Sequence, residues 1–246
     1  MSGKRDPSKN SSYYRKDELI TMLDEAINNG LTLYRQTFLN YLRKLTDTKE
    51  NPTETIAEYL LPLLSGDDSD RSILGVKRIT RVKCYNMIHE NKSNGEGSNR
   101  KEEWTAIRLV RDGFSSPDFG EMIAYQVPLK NIQADIGVGK IDVISFDIKS
   151  NKFYIHELKV KPKKSTSEES LLRAVLEIYS YFLTVAKEKL LREFECGAAT
   201  LVPSVLLHVG CRAYNEYREA DKNKNVIKLM KKLGVVFNQY EESNNE

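Results

Sequence analysis

Residues 139–160, GKIDVISFDIKSNKFYIHELKV, constrain this chain more than any other stretch. Two runs rich in β-branched and aromatic residues, 141–148 and 153–160, flank the polar segment 149–152, which is the pattern of a β-hairpin. Apolar residues occupy both parities of both runs, as in strands covered on both faces. Three charges sit where a hairpin core would prefer apolar residues: Asp142, Glu157 and Lys159. Side chains alternate along a strand, so Glu157 and Lys159 share a face, and pairing of the hairpin can bring Asp142 beside them. A surface hairpin with a cross-strand salt bridge would account for these charges at about 0–1 kcal/mol. In a covered sheet they are costly unless they bind a metal or do chemistry, and the apolar surroundings favour that second account.

The rest of the chain supplies the setting. Residues 1–12 are polar and read as a disordered tail. From Asp17, the spacing of Leu19, Ile20, Leu23 and Ile27 predicts a helix that stops at Asn28-Asn29-Gly30. Leu31, Tyr34, Phe38, Tyr41, Leu42 and Leu45 mark a second helix. Asn51 and Pro52 open a third, with Glu54 complementing its dipole. The region 13–70 is therefore expected to be α-helical and to pack on the domain that follows, 71–240, ahead of a polar tail at 241–246. Residues 73–90 fit helix or strand equally well and carry Lys77, Arg78, Arg81 and Lys83, a run suited to a phosphate backbone or to a solvated face. Residues 91–100 and 112–120 read as loops, and 102–110 as a short helix or a strand.

Residues 122–129 predict a strand ahead of the hairpin. After it, Ser165 with Glu168, or Thr166 with Glu169, offers a capping box to a long helix beginning near Ser167. Leu172, Val175, Leu176, Tyr179, Leu183 and Ala186 carry its apolar face to about Phe194. An apolar strand at 202–209 begins at or after Pro203. A helix over 223–233 is closed by Gly234, and a last strand spans 235–240. Strand, strand, strand, helix, strand, helix, strand describes a mixed α/β layer.

Asp142 followed by Glu157-Leu158-Lys159 on the next strand resembles the PD-(D/E)XK phosphodiesterase superfamily. The resemblance covers roughly half of the chain, with Ile141 at the position of the proline in the family's name. It implies a restriction-endonuclease-like mixed central sheet flanked by helices, here with an α-helical N-terminal region. It also implies a Mg²⁺ site, with Mn²⁺ as an alternative, held by the Asp142 and Glu157 carboxylates and the Leu158 carbonyl, and Lys159 as a catalytic residue. Glu177 and Tyr181 sit one turn apart on the long helix and look like the Gln-x-x-x-Tyr motif of some nuclease branches, with Glu in place of Gln. Both join the expected catalytic set, and Arg173, on the same helix face, joins the expected nucleic-acid contacts. Lys161, Lys163 and Lys164 follow the motif directly, where a phosphate backbone would pass, or else form a solubilising loop. Hard carboxylate oxygens suit Mg²⁺, which polarises a phosphoryl oxygen and lowers the pKa of bound water.

Composition limits the remaining choices. A net charge of +3 demands that any nucleic-acid surface be local. No apolar run is long enough to cross a membrane. Cys84, Cys196 and Cys211 lack metal-type spacing and read as reduced thiols of a cytoplasmic protein. The expected function is a metal-dependent nuclease acting on nucleic acid, with DNA the expected substrate, and a homodimer would supply two sites for two strands. His156 points away from Glu157 by alternation and is expected to pack rather than react. The competing expectations are a binding module of the same fold without turnover, and an adaptor that binds protein through its N-terminal helices.

Overall fold

A computed structural model describes residues 13–86, 101–132, 135, 138–161 and 168–241. At its centre is a six-stranded mixed sheet whose spatial order follows the sequence: β1 (Ser115–Ser116), β2 (Gly120–Pro128), β3 (Lys140–Asp147), β4 (Lys152–Lys159), β5 (Thr200–His208) and β6 (Val236–Tyr240). The pairs β1–β2, β2–β3 and β3–β4 are antiparallel, whereas β4–β5 and β5–β6 are parallel. The tight 149–152 turn allows the antiparallel return, and the parallel pairs need helical crossovers. The expected hairpin forms, with Ile144 opposite Ile155 and Phe146 opposite Phe153.

Eight α-helices cover this sheet among the described residues. On one face lies α4 (Lys101–Arg111), where Ala106 and Leu109 join Met122, Val143, Tyr154, Leu158 and Leu206. On the other lies α5 (Leu171–Thr184), whose Leu172, Val175, Leu176 and Tyr179 pack with Ile144, Ile155 and Val205. The same core takes in α1 (Lys16–Asn28) through Leu19 and Leu23, and α2 (Pro52–Leu63) through Ile56 and Leu60. The N-terminal helices thus share one core with the sheet. Glu54 accepts the N–H groups of Asn225 and Val226, tying α2 to the start of α8 (Lys224–Lys232). Glu54 lies in the first turn of its own helix, as expected, and serves a distant helix start as well.

The segment expected to form a second helix is two 3₁₀ turns, Leu33–Arg35 and Thr37–Asn40, separated by the extended Gln36. These short turns bury Leu33, Tyr34, Phe38 and Leu39, which a continuous helix would spread around its circumference. The long central helix starts later and stops sooner than its apolar pattern suggested. Ser170 is the N-cap, its Oγ accepting the Arg173 N–H at 3.1 Å, and Val185 is extended. A separate α6 (Lys187–Glu193) continues the apolar pattern in a new direction. Ser165 and Thr166 lie outside the described residues, while Glu168 accepts the backbone N–H of Arg212.

Pro203 lies inside β5 rather than at its start. Pairing with β6 begins only at Ser204, so an unpaired edge is open to Pro203, which has no N–H to give. Residues 70–86 hold the short α3 (Asp70–Leu74) and then neither helix nor strand; residues 87–100 lie outside the description. Residues 102–110 prove helical. The loop expected at 112–120 contains the two-residue β1, and α7 (Arg212–Arg218) was not anticipated. Gly234 ends α8 at φ 66°, as expected of a C-terminal cap. No helix among the described residues is long and apolar enough to cross a membrane.

Candidate functional site

β4 runs between β3 and β5 and is buried along nearly its whole length. Alternation gives its two faces different work. Tyr154 and Leu158 join the core beneath α4, and His156 stacks on Tyr154 there. Phe153 and Ile155 enter the core beneath α5, and Glu157 and Lys159 continue that face toward the helix start. The antiparallel register sets Val143 opposite His156; carried one residue further, it sets Asp142 opposite Glu157. Asp142 Oδ2 accepts the Leu158 N–H at 3.0 Å, and Oδ1 accepts from Gln126 Nε2 at 3.1 Å. Within a strand, a residue's N–H and carbonyl face the same neighbour, so the Leu158 carbonyl also points toward the β3 side.

Lys159 is the hub. Its Nζ donates to Glu157 Oε1 at 2.6 Å and forms an ion pair with Glu169. Glu102 Oε1 lies 3.8 Å away and Glu177 Oε2 3.9 Å away. Arg173 Nη2 holds the far side of Glu169 at 3.1 Å. Tyr181 donates to Glu177 Oε1 at 2.7 Å, one turn along α5. The structure therefore brings Asp142, Glu157, Lys159, Glu177, Tyr181 and Arg173 to one place. It does not bring Lys161, which is exposed and extends over Gly210. Lys163 and Lys164 lie outside the described residues. Of the basic run at 77–83, Arg81 is buried and donates to the carbonyls of Lys130 and Cys84, so it holds the fold together rather than facing a phosphate.

The electrostatics are those of an acid-rich pocket around one ammonium. Burial pushes the Asp142 carboxyl up to about 7, against the pull of Lys159 and with a further push from Glu102. Burial and the neighbouring Asp142 and Glu177 raise Glu157 well above the usual carboxylate range. Burial works to lower Lys159, but Glu157, Glu102, Glu177 and Glu169 together hold it well above an ordinary lysine. Glu169 is opposed by burial, yet Lys159 and Arg173 bring it down. Glu102, Asp142, Glu157, Glu169 and Glu177 outnumber Lys159 and Arg173, so the pocket carries surplus negative charge whenever its acids ionise. On the opposite face, burial drives the His156 imidazole down to about 3, and its Nε2 lies 2.8 Å from the Ser145 hydroxyl. It is a packed neutral histidine, as alternation suggested.

The carboxylate oxygens of Glu157, Glu169 and Glu177 lie within 4.8 Å of one another. Three hard oxygen donors at that spacing fit Mg²⁺ or Mn²⁺. This trio keeps Glu157 from the set read from the sequence and adds Glu169 and Glu177, while Asp142 lies opposite Glu157 on β3, outside the three. In the sequence, Glu169 is visible only as a capping partner, and Glu102 or Glu103 fits either the extra acid that some members of the resembled superfamily carry on the first core helix or, better, a solvated helix start. Their approach to Lys159 depends on how α5 and α4 dock, and no local pattern reports that. Gln126 was not anticipated either. It adopts φ 51°, a left-handed conformation rare for a residue with a side chain, in the middle of β2 beside Asp142. Backbone strain of this kind gathers at functional sites. No family model, no curated protein and no solved structure matches this chain.

Proposed function

We propose that this chain is a metal-dependent nuclease that hydrolyses phosphodiester bonds of nucleic acid, with DNA the expected substrate, as the PD-(D/E)XK resemblance implies. The observation that carries this reading is the convergence of Glu157, Glu169 and Glu177 on the Lys159 ammonium, with Asp142 on the adjacent strand. Glu157, Glu169 and Glu177 would hold the ion. When bound, Mg²⁺ polarises a phosphoryl oxygen and makes a coordinated water more acidic. Lys159 stays protonated, so it serves as a donor that stabilises charge building on the phosphate oxygens, not as a base. Asp142, opposite Glu157 on β3, would add a further carboxylate beside the ion, held by the Gln126 amide and the Leu158 N–H. Tyr181 fixes the orientation of Glu177 through its hydroxyl.

Incubation of plasmid and single-stranded DNA with Mg²⁺ or Mn²⁺, set against EDTA, tests this reading. The wild type should cleave, and Glu157→Ala and Lys159→Ala should not. DNA that is shifted in a gel yet left intact would replace the nuclease with a binding module of the same fold. DNA that is neither bound nor cut would leave the adaptor reading.

A further inference from the structure

Beside the acidic centre, a cavity of about 440 Å³ opens between segment 75–80 and α5. Cavities of ~300–1,000 Å³ seat ligands the size of a nucleotide. Tyr181 lines this cavity and also donates its hydroxyl to Glu177, so a single side chain separates the cavity from the acids. The lining mixes apolar side chains with the hydroxyls of Thr32, Thr80, Ser180 and Thr184, of which Thr32, Ser180 and Thr184 donate to backbone carbonyls.

Its charge is asymmetric. Lys77 and Arg78 line it and are exposed. The acid among the described lining residues is Asp135, and its carboxylate already accepts the N–H groups of Asn131 at 2.7 Å and Ile132 at 2.8 Å. Arg78 also lies within electrostatic reach of Asp68, which Arg71 already pairs at 2.6 Å. On the other side Arg35 donates to the hydroxyl of Tyr34, another lining residue, at 3.2 Å. Segment 75–80 crosses as a strap: the Ile79 N–H donates to the Thr184 carbonyl at 3.2 Å, and the Thr32 hydroxyl donates to the Gly75 carbonyl at 3.0 Å. A space of about 440 Å³ suits a single nucleotide, which favours an unpaired strand over a duplex.

We propose that this cavity seats one nucleotide of a single-stranded nucleic acid beside the acidic centre, with Lys77 and Arg78 holding its phosphates. The proposal rests on the nuclease reading and deepens it by naming the form of the substrate. DNA and RNA share the chemistry that would be recognised, and the experiment separates them.

The test is fluorescence anisotropy in EDTA, with labelled single-stranded DNA, single-stranded RNA of the same sequence and duplex DNA. The proteins are the wild type and Lys77→Ala/Arg78→Ala, each first checked by thermal melting. Single strands should bind at least about tenfold tighter than duplex, and the tighter of DNA and RNA identifies the substrate. The double variant should lose about tenfold in single-strand affinity, and its slope of log affinity against log salt should shrink by about 1.4, or ~0.7 for each lost phosphate contact. Wild-type affinity and slope in the double variant, duplex binding as tight as single-strand binding, or no binding at all would overturn the proposal. The nuclease reading fails separately, if binding behaves as expected but Mg²⁺ produces no cleavage.

Discussion

Gly139 and Tyr181 approach so closely that a Cβ on the glycine would fall 2.0 Å from the phenol oxygen. That oxygen is the one that donates to Glu177. The missing side chain at 139, in the turn ahead of β3, is therefore what allows α5 to present an oriented carboxylate to the site.

Gly139→Ala should displace the Tyr181 ring and destabilise the fold by about 1–3 kcal/mol, the usual cost of overpacking. Combined with Tyr181→Leu, which removes the obstructing hydroxyl, most of that loss should vanish. A double-mutant cycle by urea denaturation measures the coupling. Strict additivity of the two changes would show that the contact is unimportant.

Lys159 is the counter-ion that the acids share, so Lys159→Met should cost about 3–5 kcal/mol at neutral pH by leaving buried carboxylates unpaired. A divalent cation can take over that role. Mg²⁺ or Mn²⁺ should raise the melting temperature of the variant more than that of the wild type. Equal shifts in the two proteins would argue that the carboxylate cluster binds no ion.

Asp142 predicts a pH signature. Its carboxyl rises from 3.8 to about 7 on folding, so the folded state keeps a proton that the unfolded chain has lost. Stability from this group therefore falls as pH climbs from about 4 to about 7, and levels off above that. Solvent reaches part of Asp142, which keeps the slope below about 1.4 kcal/mol per pH unit. His156 carries the opposite sign, contributing stability above about 6.5 that is lost as pH falls toward 3. Both wild type and Asp142→Asn retain His156, so its contribution cancels in the difference between them. Metal-free denaturation at pH 5 and pH 8 should show the variant gaining on the wild type at the higher pH. A constant difference would contradict the assignment.

Gln126 separates stability from function. Replacing it by glycine relieves a left-handed backbone that costs about 1–2 kcal/mol for a residue with a side chain. The same change removes the donor to Asp142 Oδ1. Gln126→Gly should melt no lower than the wild type yet cleave more slowly, by about tenfold. A variant that melts lower and cleaves normally would identify Gln126 as a purely structural residue.

Much of this architecture is written locally. Alternation along 141–148 and 153–160 specifies two strands, the polar turn specifies their antiparallel return, and parity alone puts Glu157 and Lys159 on one face and His156 on the other. The caps at Asn51-Pro52 and Gly234 mark helix ends in the same way. Where the pattern misled, a distant contact had decided. The turns at 33–40 bend to bury four apolar side chains against a core assembled from α5 and the sheet, and α5 breaks at Val185 although the apolar spacing continues.

The chain's own pattern thus determined the strand pair and the charged trio Asp142, Glu157 and Lys159, because period-2 alternation and hydrophobic burial act over a few residues. Only the tertiary structure decided that Glu102 and Glu169 join them, with the expected Glu177, around one ammonium, and that a strap with Lys77 and Arg78 borders Tyr181. Those meetings depend on the docking of α4 and α5 onto opposite faces of the sheet. Docking is set by the packing of large side chains summed over the whole core, which no short stretch of sequence encodes.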